Sequence, residues 1–400
     1  MSTSPTEARP APLQGIRVLD LTRLLPGPLS TQHLADMGAE VIKIEDTGAG
    51  DYARTLGPRV AKTTGLFLLV NRNKRSLRLD LKQPQGREVL LELATQADVL
   101  VEGFRPGVME RLGLGYKDLK AVNPALVYCA ISGYGQFGPY RERAGHDLNY
   151  CALTGILDQT GPGGGPPAIS NLQIGDLLGG AQSAVMGILA ALLDARLRGE
   201  GRYLDVAMAD CALAHNILPL AAWLAGGETR PRGEDLLTGA LPCYGVYKTL
   251  DGRYMAVGAL EAKFWRLCCQ TLGRSDLIER HWVFGQEAEQ VREELAAIFR
   301  TQPQSHWIEL FEPVDCCVTP VLTLEEAMAH PQFRAREIFV RHTHPTDGEI
   351  VQYGFPLKFS DFEFQVERPA PALGEHSEAI LRESGLSAER IADLRSQGVI

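Results

Sequence analysis

The chain lacks long apolar runs and an excess of positive charge. Across its 400 residues, no window approaches the twenty uninterrupted apolar positions of a membrane span. The formal net charge is −9, which argues against a nucleic-acid partner held by bulk electrostatics. With 45% hydrophobic and 22% charged residues, the composition predicts a soluble globular protein that has neither a nucleic-acid nor a membrane partner.

The spacings of zinc and redox sites are also missing. The eight cysteines include the adjacent pairs Cys268-Cys269 and Cys316-Cys317, but no C-x-x-C motif. We therefore expect them to be buried apolar fillers that an intracellular setting keeps reduced. The nearest candidate metal pair, His342 and His344, lies in a stretch typical of a solvated strand or turn. The sequence predicts no metal site.

The N-terminus lacks the features of a signal peptide. Residues 1–12 contain Pro, Ser, Thr and Glu, with neither a basic start nor an apolar block. They are predicted to be a disordered extension, and a cytoplasmic location is the default expectation.

The first elements predict a doubly wound, Rossmann-like α/β fold without the usual dinucleotide fingerprint. A β-branched run from Ile16 to Leu21 precedes a Pro-Gly-Pro turn, a helical stretch and a second strand, Glu40 to Glu45. The turn has no G-x-G-x-x-G motif, so a nicotinamide dinucleotide is not expected there. Further strands are predicted at 77–81, 98–102 and 126–132.

A chain of this length is expected to form a large domain and a smaller one. The clearest linker is 226–235, followed by a predicted β-hairpin at 244–258. We therefore assign a large α/β domain to 13–225 and a small α+β domain to 226–330. The C-terminal segment, 331–400, has predicted strands near Val351 and Leu357 and is expected to return to the large domain.

A loop and a long helix separate two candidate catalytic residues. Residues 161–167 are too rich in glycine and proline for regular structure. From Gly179 to Leu197, apolar residues surround most of the circumference of a predicted helix, which implies burial on nearly all sides. Asp176 lies just before this helix, so a capping role competes with a catalytic one.

The residues whose side chains are best suited to catalysis are His146, Asp176 and Glu261. An imidazole and a carboxylate with separated pKa values can divide proton transfer, one abstracting while the other donates, as inversion at an acidic C–H centre requires. By themselves, three such residues are more often satisfied polar side chains than a catalytic site.

Recognisable motifs lie in every third of the chain and include 13–21, 34–45, 73–77 and 103–107. Through these motifs, residues 13–400 resemble the class III CoA-transferase superfamily, the CaiB/BaiF group. Within that superfamily, the run from Ala144 to Tyr150, the Gly175-Asp176 pair and the segment 257–261 are most similar to the α-methylacyl-CoA racemase branch.

This resemblance implies inversion of the α-carbon of a 2-methylacyl-CoA, an activity within lipid metabolism. His146 and Asp176 would act as bases on opposite faces of that carbon, while Glu261 would hold the imidazole in a useful tautomer. Coenzyme A would be part of the substrate, and no tightly bound cofactor would be needed. The family also implies an interlocked homodimer.

Two alternatives remain open. In the transferase branches, the residue matching Asp176 carries the acyl group and then CoA covalently, so His146 would be surplus. Gly103 favours a racemase, because many transferases have Asn there. Ala181 and the Leu177-Leu178 pair depart from both branches and leave the size of the acyl pocket open. A non-catalytic CoA-binding protein would instead need Asp176 only as a helix cap.

An acidic protein must supply local positive charge to bind the phosphates of coenzyme A. A basic cluster and a Phe-Arg-Pro-Gly turn are the main candidates, although either could be a solvated loop. The residues predicted to contact coenzyme A are Lys43, Arg54, Arg72, Lys74, Arg75, Gly103, Phe104, Arg105 and Asp147.

Overall fold

The computed structural model describes residues 10–400, so most of the predicted N-terminal extension lies outside the described residues. The chain forms two compact units. The first contains residues 10–154, Asn171–His215 and Arg334–Ile400, and the second contains Gly155–Ser170 and Asn216–Phe333. The second unit thus begins ten residues before the predicted boundary at 226 and also includes the glycine- and proline-rich loop.

The first unit contains a six-stranded sheet: β1 (Arg17–Leu21), β2 (Glu40–Glu45), β3 (Lys74–Arg78), β4 (Val99–Glu102), β5 (Val127–Ser132) and β6 (Tyr203–Ala207). The spatial order is β3-β2-β1-β4-β5-β6, and all neighbouring strands are parallel. Strand order reverses between β1 and β4, as expected for a doubly wound sheet. The predicted α/β class is confirmed.

Both faces of this sheet are buried, because successive strand residues alternate between two apolar clusters. Leu19 and Ile42 belong to the cluster that includes residues of the last two helices. Val18 and Val41 belong to the cluster on the other face. The helices of the first unit are α1 (Pro26–Asp36), α2 (Gly65–Val70), α3 (Pro84–Ala94), α4 (Val108–Arg111), α5 (Tyr116–Val122), α6 (Asp147–Leu153), α8 (Ser183–Arg198), α9 (Met208–Ala214), α16 (Ser377–Glu383) and α17 (Ala388–Ser396).

The long helix predicted at 179–197 differs from the expectation in two ways. It begins as a π-helix, Gly175–Gln182, and continues as α8. It is also not buried all round, since Met186, Leu193 and Leu197 are each more than 60% exposed. By length and composition, Gly175–Arg198 could cross a membrane, but 44% of its most apolar window is buried in the fold. A core helix of a globular protein has the same character, so this is weak evidence for a membrane span.

The second unit has an antiparallel sheet, β7 (Tyr244–Lys248), β8 (Tyr254–Gly258) and β9 (Val318–Pro320), in that order. The predicted hairpin at 244–258 is confirmed. The helices are α7 (Ile156–Gln159), α10 (Ile217–Gly226), α11 (Ala262–Thr271), α12 (Gly285–Phe299), α13 (Gln304–Phe311), α14 (Leu324–Ala329) and α15 (Pro331–Ala335), the last of which leads back to the first unit. Short helical turns lie at Tyr52–Arg54 in the first unit and at Leu236–Ala240 and Ser275–Leu277 in the second.

Cysteine and aromatic side chains fill the core of the second unit. Trp265, Phe299 and Trp307 pack in one cluster with four buried cysteines. Six of the eight cysteines are buried, as predicted, whereas Cys211 is half-buried and Cys317 is exposed.

The C-terminal segment adds a second sheet to the first unit. Its strands are β10 (Phe339–His344) and β11 (Gly348–Tyr353), an antiparallel pair. The strand predicted near Val351 is therefore confirmed. The one predicted near Leu357 is wrong, because that residue lies in an exposed irregular stretch.

Candidate functional site

A cavity of about 420 Å³ lies in the first unit at the carboxyl edge of the parallel sheet. The segments that follow β1, β4 and β5 line it, including Thr22, Gly103 and Ser132. In doubly wound sheets, ligands bind where strand order reverses, in the crevice outside the carboxyl ends of the strands. Here that point lies between β1 and β4, so the topology and the cavity indicate the same place.

Buried ion pairs hold the loop that follows β1. The Lys43 ammonium lies 2.8 Å from the Asp51 carboxylate and donates to the Thr22 carbonyl at 3.0 Å. Asp51 also accepts the amide of Leu24 at 2.9 Å. Leu24 has a φ of 65°, which is unfavourable for a residue with a branched side chain. These contacts keep the loop in a conformation that it would not adopt alone.

A second buried pair supports the base of the same loop. The Lys74 ammonium lies 2.9 Å from the Asp20 carboxylate, and both side chains are fully buried. Asp20 also accepts the amide of Thr22 at 2.9 Å. Burial lowers the pKa of Lys74 to about 8. Although burial alone would raise the pKa of Asp20, Lys74 and Lys43 hold it well below its usual range, so the carboxylate is charged.

Glu102, the last residue of β4, supports the next loop. Its side chain is buried and accepts the amide of Phe104 at 2.7 Å. Burial raises the pKa of Glu102 to about 8. The three residues that follow, Gly103, Phe104 and Arg105, line the cavity. These three sequence-predicted residues are therefore brought together at one edge.

His146 immediately precedes α6 and lines the cavity with an exposed side chain. Its amide donates to the Asn149 side chain at 3.1 Å. The Tyr150 hydroxyl donates to the Gly145 carbonyl at 2.6 Å. A Cβ atom on Gly145 would lie only 2.8 Å from side-chain atoms of Tyr134 and Tyr150. This close packing fixes the backbone directly before His146.

Asp176 lies in the first turn of the π-helix and lines the same cavity. Burial, and after it the nearby Asp147, raises the pKa of the half-buried Asp176 to about 6. A group with that pKa can both accept and donate a proton near neutrality. π-Helical turns are frequent at functional sites, where they redirect a side chain. The structure thus brings His146 and Asp176 to one cavity from separate segments.

Four arginines line the cavity: Arg23, Arg105, Arg141 and Arg143. Sequence reasoning proposed only Arg105. Arg23 is partly neutralised by Asp46 at 2.9 Å, while Arg143 lies over the Tyr140 ring at 5.0 Å. Arg23 could have been found from its position two residues beyond β1. Arg141 and Arg143 lie in the irregular segment between β5 and α6, so no adjacent strand end marks their position in the sequence.

The other predicted phosphate-binding cations occupy different surroundings. None of the five, Lys43, Arg54, Arg72, Lys74 and Arg75, lines the cavity. Each forms an ion pair within the first unit, with Asp51, Glu45, Asp36, Asp20 and Glu40 respectively. Side-chain exposure does not exceed 13% for any of them. In the structure these five charges pair within the fold and do not face the cavity, and a part for them in binding coenzyme A stays a prediction.

Two further predicted residues also lie outside the cavity lining. Asp147 is 7% exposed and accepts the amide of Asp176 at 2.9 Å, so its carboxylate is directed at the protein. Glu261 is exposed in the second unit, where its carbonyl accepts the amides of Phe264 and Trp265 at the start of α11. Its pairing with His146 stays a prediction. Among residues 10–400, no group of three or more His, Cys, Asp or Glu is arranged to hold a metal ion.

Comparisons with known proteins agree on a family. The sequence profile of CoA-transferase family III matches residues 13–377. The chain is 37% identical to human alpha-methylacyl-CoA racemase, with 97% of both chains covered. It is 35% identical to human succinyl-CoA:glutarate CoA-transferase, over 97% of this chain and 90% of the relative. The crystal structure of a CAIB/BAIF family protein from Brucella suis superposes with a TM-score of 0.81 at 30% identity, covering 94% of this chain and all of that one.

Proposed function

Because this chain belongs to CoA-transferase family III, we propose that it is an acyl-CoA racemase that inverts the α-carbon of a 2-methylacyl-CoA. The observation that carries this proposal is the presence of His146 and Asp176 in the lining of one cavity. A transferase needs the carboxylate alone. The second proton-transfer group, at the start of α6, supports two-base chemistry.

The reaction requires only proton transfer. One base removes the α-proton, and the electron pair of the broken C–H bond moves toward the thioester oxygen to form an enolate. The opposite base then donates a proton to the other face, which inverts the centre. The developing charge lies on the enolate oxygen, so hydrogen-bond donors at that oxygen would stabilise the intermediate.

The different surroundings of the two groups suit this division of work. His146 is exposed at the cavity wall, whereas Asp176 is half-buried and has a pKa raised to about 6. Asp176 can therefore be present in either protonation state near neutral pH. Asp176 would abstract from one epimer and His146 from the other.

The cavity arginines support the choice of a coenzyme A ester as substrate. Coenzyme A carries three phosphate groups, which arginine recognises through charge-assisted hydrogen bonds. Arg105 and Arg143 are exposed at the cavity. We assign phosphate binding to these two first, with Arg23 and Arg141 as further candidates. Coenzyme A remains part of the substrate in this proposal, with no tightly bound cofactor or metal.

CoA transfer between carboxylic acids is the second candidate. Relatives of similar identity are named as transferases, including the acetyl-CoA:oxalate CoA-transferase of Acetobacter aceti at 35%. Asp176 would then attack the thioester carbonyl, the CoA thiolate would leave, and an acyl anhydride would form on the carboxylate. His146 would have no required role.

An isotope experiment separates the two functions. One epimer of a 2-methylacyl-CoA is incubated with the protein in deuterium oxide without an acceptor acid, and α-hydrogen exchange and chirality are followed. A racemase exchanges and inverts, whereas a transferase does neither but moves CoA to an added carboxylate. His146→Ala should abolish abstraction from one epimer and preserve much of the exchange of the other. If that variant transfers CoA at full rate, the racemase proposal is wrong.

We further propose a homodimer, interlocked as in the family, in the cytoplasm. Exposed apolar side chains support the dimer. Helix α10 has no buried residue, although Ile217, Leu220, Trp223 and Leu224 are apolar. Soluble monomers rarely expose apolar patches of this kind, and a second copy of the chain is the occupant that the family implies.

A further inference from the structure

Asp147 is buried and held by neutral hydrogen-bond donors, as are Glu102 and Asp347, and it has no lysine or arginine partner among the described ion pairs. Among residues 10–400, Asp20, Asp36 and Asp51 each pair with a lysine or arginine. Asp147 instead accepts the amide of Asp176 at 2.9 Å and lies 3.5 Å from the Cys151 thiol. A buried carboxylate held by neutral donors is costly, and of Asp147, Glu102 and Asp347 it is Asp147 that binds the segment carrying Asp176.

The hydrogen bond joins the two segments that carry the proposed bases. Asp147 is the first residue of α6 and directly follows His146. Its acceptor oxygen binds the amide in the first turn of the π-helix, where amides have no intrahelical partner. The Asp147 side chain, at the start of α6, therefore caps the π-helix that carries Asp176.

Close packing makes this connection rigid. A Cβ atom on Gly175 would lie 3.1 Å from the Asp147 carboxylate and 3.2 Å from Tyr150. The two segments thus approach each other as closely as glycine permits. A displacement of Asp147 would have to move the start of the π-helix, and with it Asp176.

The charge of Asp147 also acts on Asp176. After burial, it is the second cause that raises the Asp176 pKa to about 6, since a nearby negative charge disfavours another. Other titratable or charged side chains around Asp176 are Tyr150 and Cys151 on α6, and His146, Tyr134, Arg23, Arg105, Arg141 and Arg143 in the cavity lining.

We propose that Asp147 is the positioning residue of the proposed reaction, fixing Asp176 relative to His146 through the amide hydrogen bond and holding a carboxylate beside that of Asp176. This inference rests on the proposed function and replaces the earlier assignment of Asp147 to coenzyme A binding. Asp147 contacts no substrate in this role. It acts only through Asp176.

Two substitutions separate position from charge. Asp147→Asn keeps a hydrogen-bond acceptor but removes the charge. We expect it to lower the pH at which Asp176 is half-protonated by several tenths of a unit or more, while KM changes less than threefold. Asp147→Ala removes both contributions. We expect kcat for α-proton exchange to fall at least tenfold, again with little change in KM.

Asp118 provides the matched control. Its carboxylate accepts the amide of Gly115 at 3.0 Å at the start of α5, and it does not line the cavity. Asp118→Asn and Asp118→Ala should therefore leave kcat and the titration of Asp176 unchanged. Equal losses of kcat in the Asp118 and Asp147 alanine variants would overturn the proposal.

The titration is measured without turnover. A water-soluble carbodiimide labels protonated carboxyl groups, and mass spectrometry of the Asp176 peptide gives the extent of labelling at each pH. If the wild-type protein fails the isotope experiment, the proposed function fails while this labelling still tests Asp147. If Asp147→Ala does not fold, the test uses Asp147→Asn alone. A labelling midpoint of Asp176 that is the same in Asp147→Asn and in the wild type would overturn the inference.

Discussion

At the scale of single residues, exposure at the cavity is what distinguishes one arginine from another. Arg105 and Arg75 were both predicted to bind phosphate, but only Arg105 lines the cavity. Arg75 lies between Glu40 and Glu383 at 2.8 and 2.6 Å. A guanidinium that already has two carboxylate partners has little capacity left for a third anion.

This contrast gives a matched pair of substitutions. Arg105→Ala should weaken acyl-CoA binding by roughly ten- to a hundredfold, the usual value of one or two hydrogen bonds to a charged group. Arg75→Ala should leave affinity within about threefold, because it breaks contacts outside the cavity. Isothermal titration at low ionic strength measures both. Equal weakening of acyl-CoA binding in the two variants would show that Arg75 contributes to phosphate binding as much as Arg105 does.

Glu102 leads to a prediction about stability and pH. Burial raises its pKa to about 8 from an ordinary 4.5, so the folded state binds this proton more tightly than the unfolded state does. Its contribution to stability is therefore fully present below pH 4.5 and is lost as pH rises toward about 8. Glu102→Gln keeps the shape of the protonated side chain but cannot ionise. The variant should therefore not lose this stability as pH rises.

We expect Glu102→Gln to be more stable than the wild type at pH 8 by an amount on the order of 1–3 kcal/mol, and about equally stable at pH 4.5. Urea unfolding at the two pH values measures the difference. A stability difference that does not depend on pH would show that Glu102 is not protonated in the fold.

At the scale of elements, the loop after β1 depends on partners from other strands. Leu24 has an unfavourable positive φ, and Asp51, itself paired with Lys43 of β2, binds its amide. Removing one partner of a buried ion pair leaves an uncompensated charge and costs about 3–5 kcal/mol. The conformation of this loop is therefore coupled to a residue that does not line the cavity.

Lys43→Met should lower the free energy of unfolding by about 3–5 kcal/mol and raise KM for acyl-CoA through disorder of the loop. Asp51→Asn in the same background should recover part of the stability, because it removes the orphaned charge. Thermal unfolding and initial rates test this. If KM rises without loss of stability, Lys43 contacts the ligand directly, as the sequence first suggested.

At the scale of the whole molecule, exposed apolar side chains support the proposed dimer. Met186 and Leu193 of α8 are 68% and 63% exposed, and Trp223 of α10 is 52% exposed. Homodimers with twofold symmetry are the commonest way to cover such surface. Light scattering should therefore give about twice the chain mass of 43.7 kDa.

Leu224→Asp places a charge on α10, where the native side chain is 70% exposed, and should weaken the dimer while preserving each fold. Lys358→Asp, a charge change in an exposed irregular stretch, is the control and should leave the mass unchanged. A wild-type protein that is monomeric at micromolar concentration would refute the proposed dimer.

The sequence by itself determined the α/β class, most strand positions and the family. Apolar alternation and β-branched runs are local properties, so β1, β2 and the hairpin at 244–258 could be read directly. The motifs around His146 and Asp176 were likewise contiguous in the chain and independent of packing. The glycine before Phe104 could also be identified without a structure, although not its place in the cavity.

Only the tertiary structure decided which charges are free. Lys43, Lys74 and Arg105 look alike in the sequence, but strand order brings Asp51 and Asp20 to the two lysines and leaves Arg105 at the cavity. The fold also brings the Asp147 carboxylate to the amide of Asp176. The partner of a charged side chain is set by which distant segments meet in space, and local sequence periodicity carries no record of those contacts.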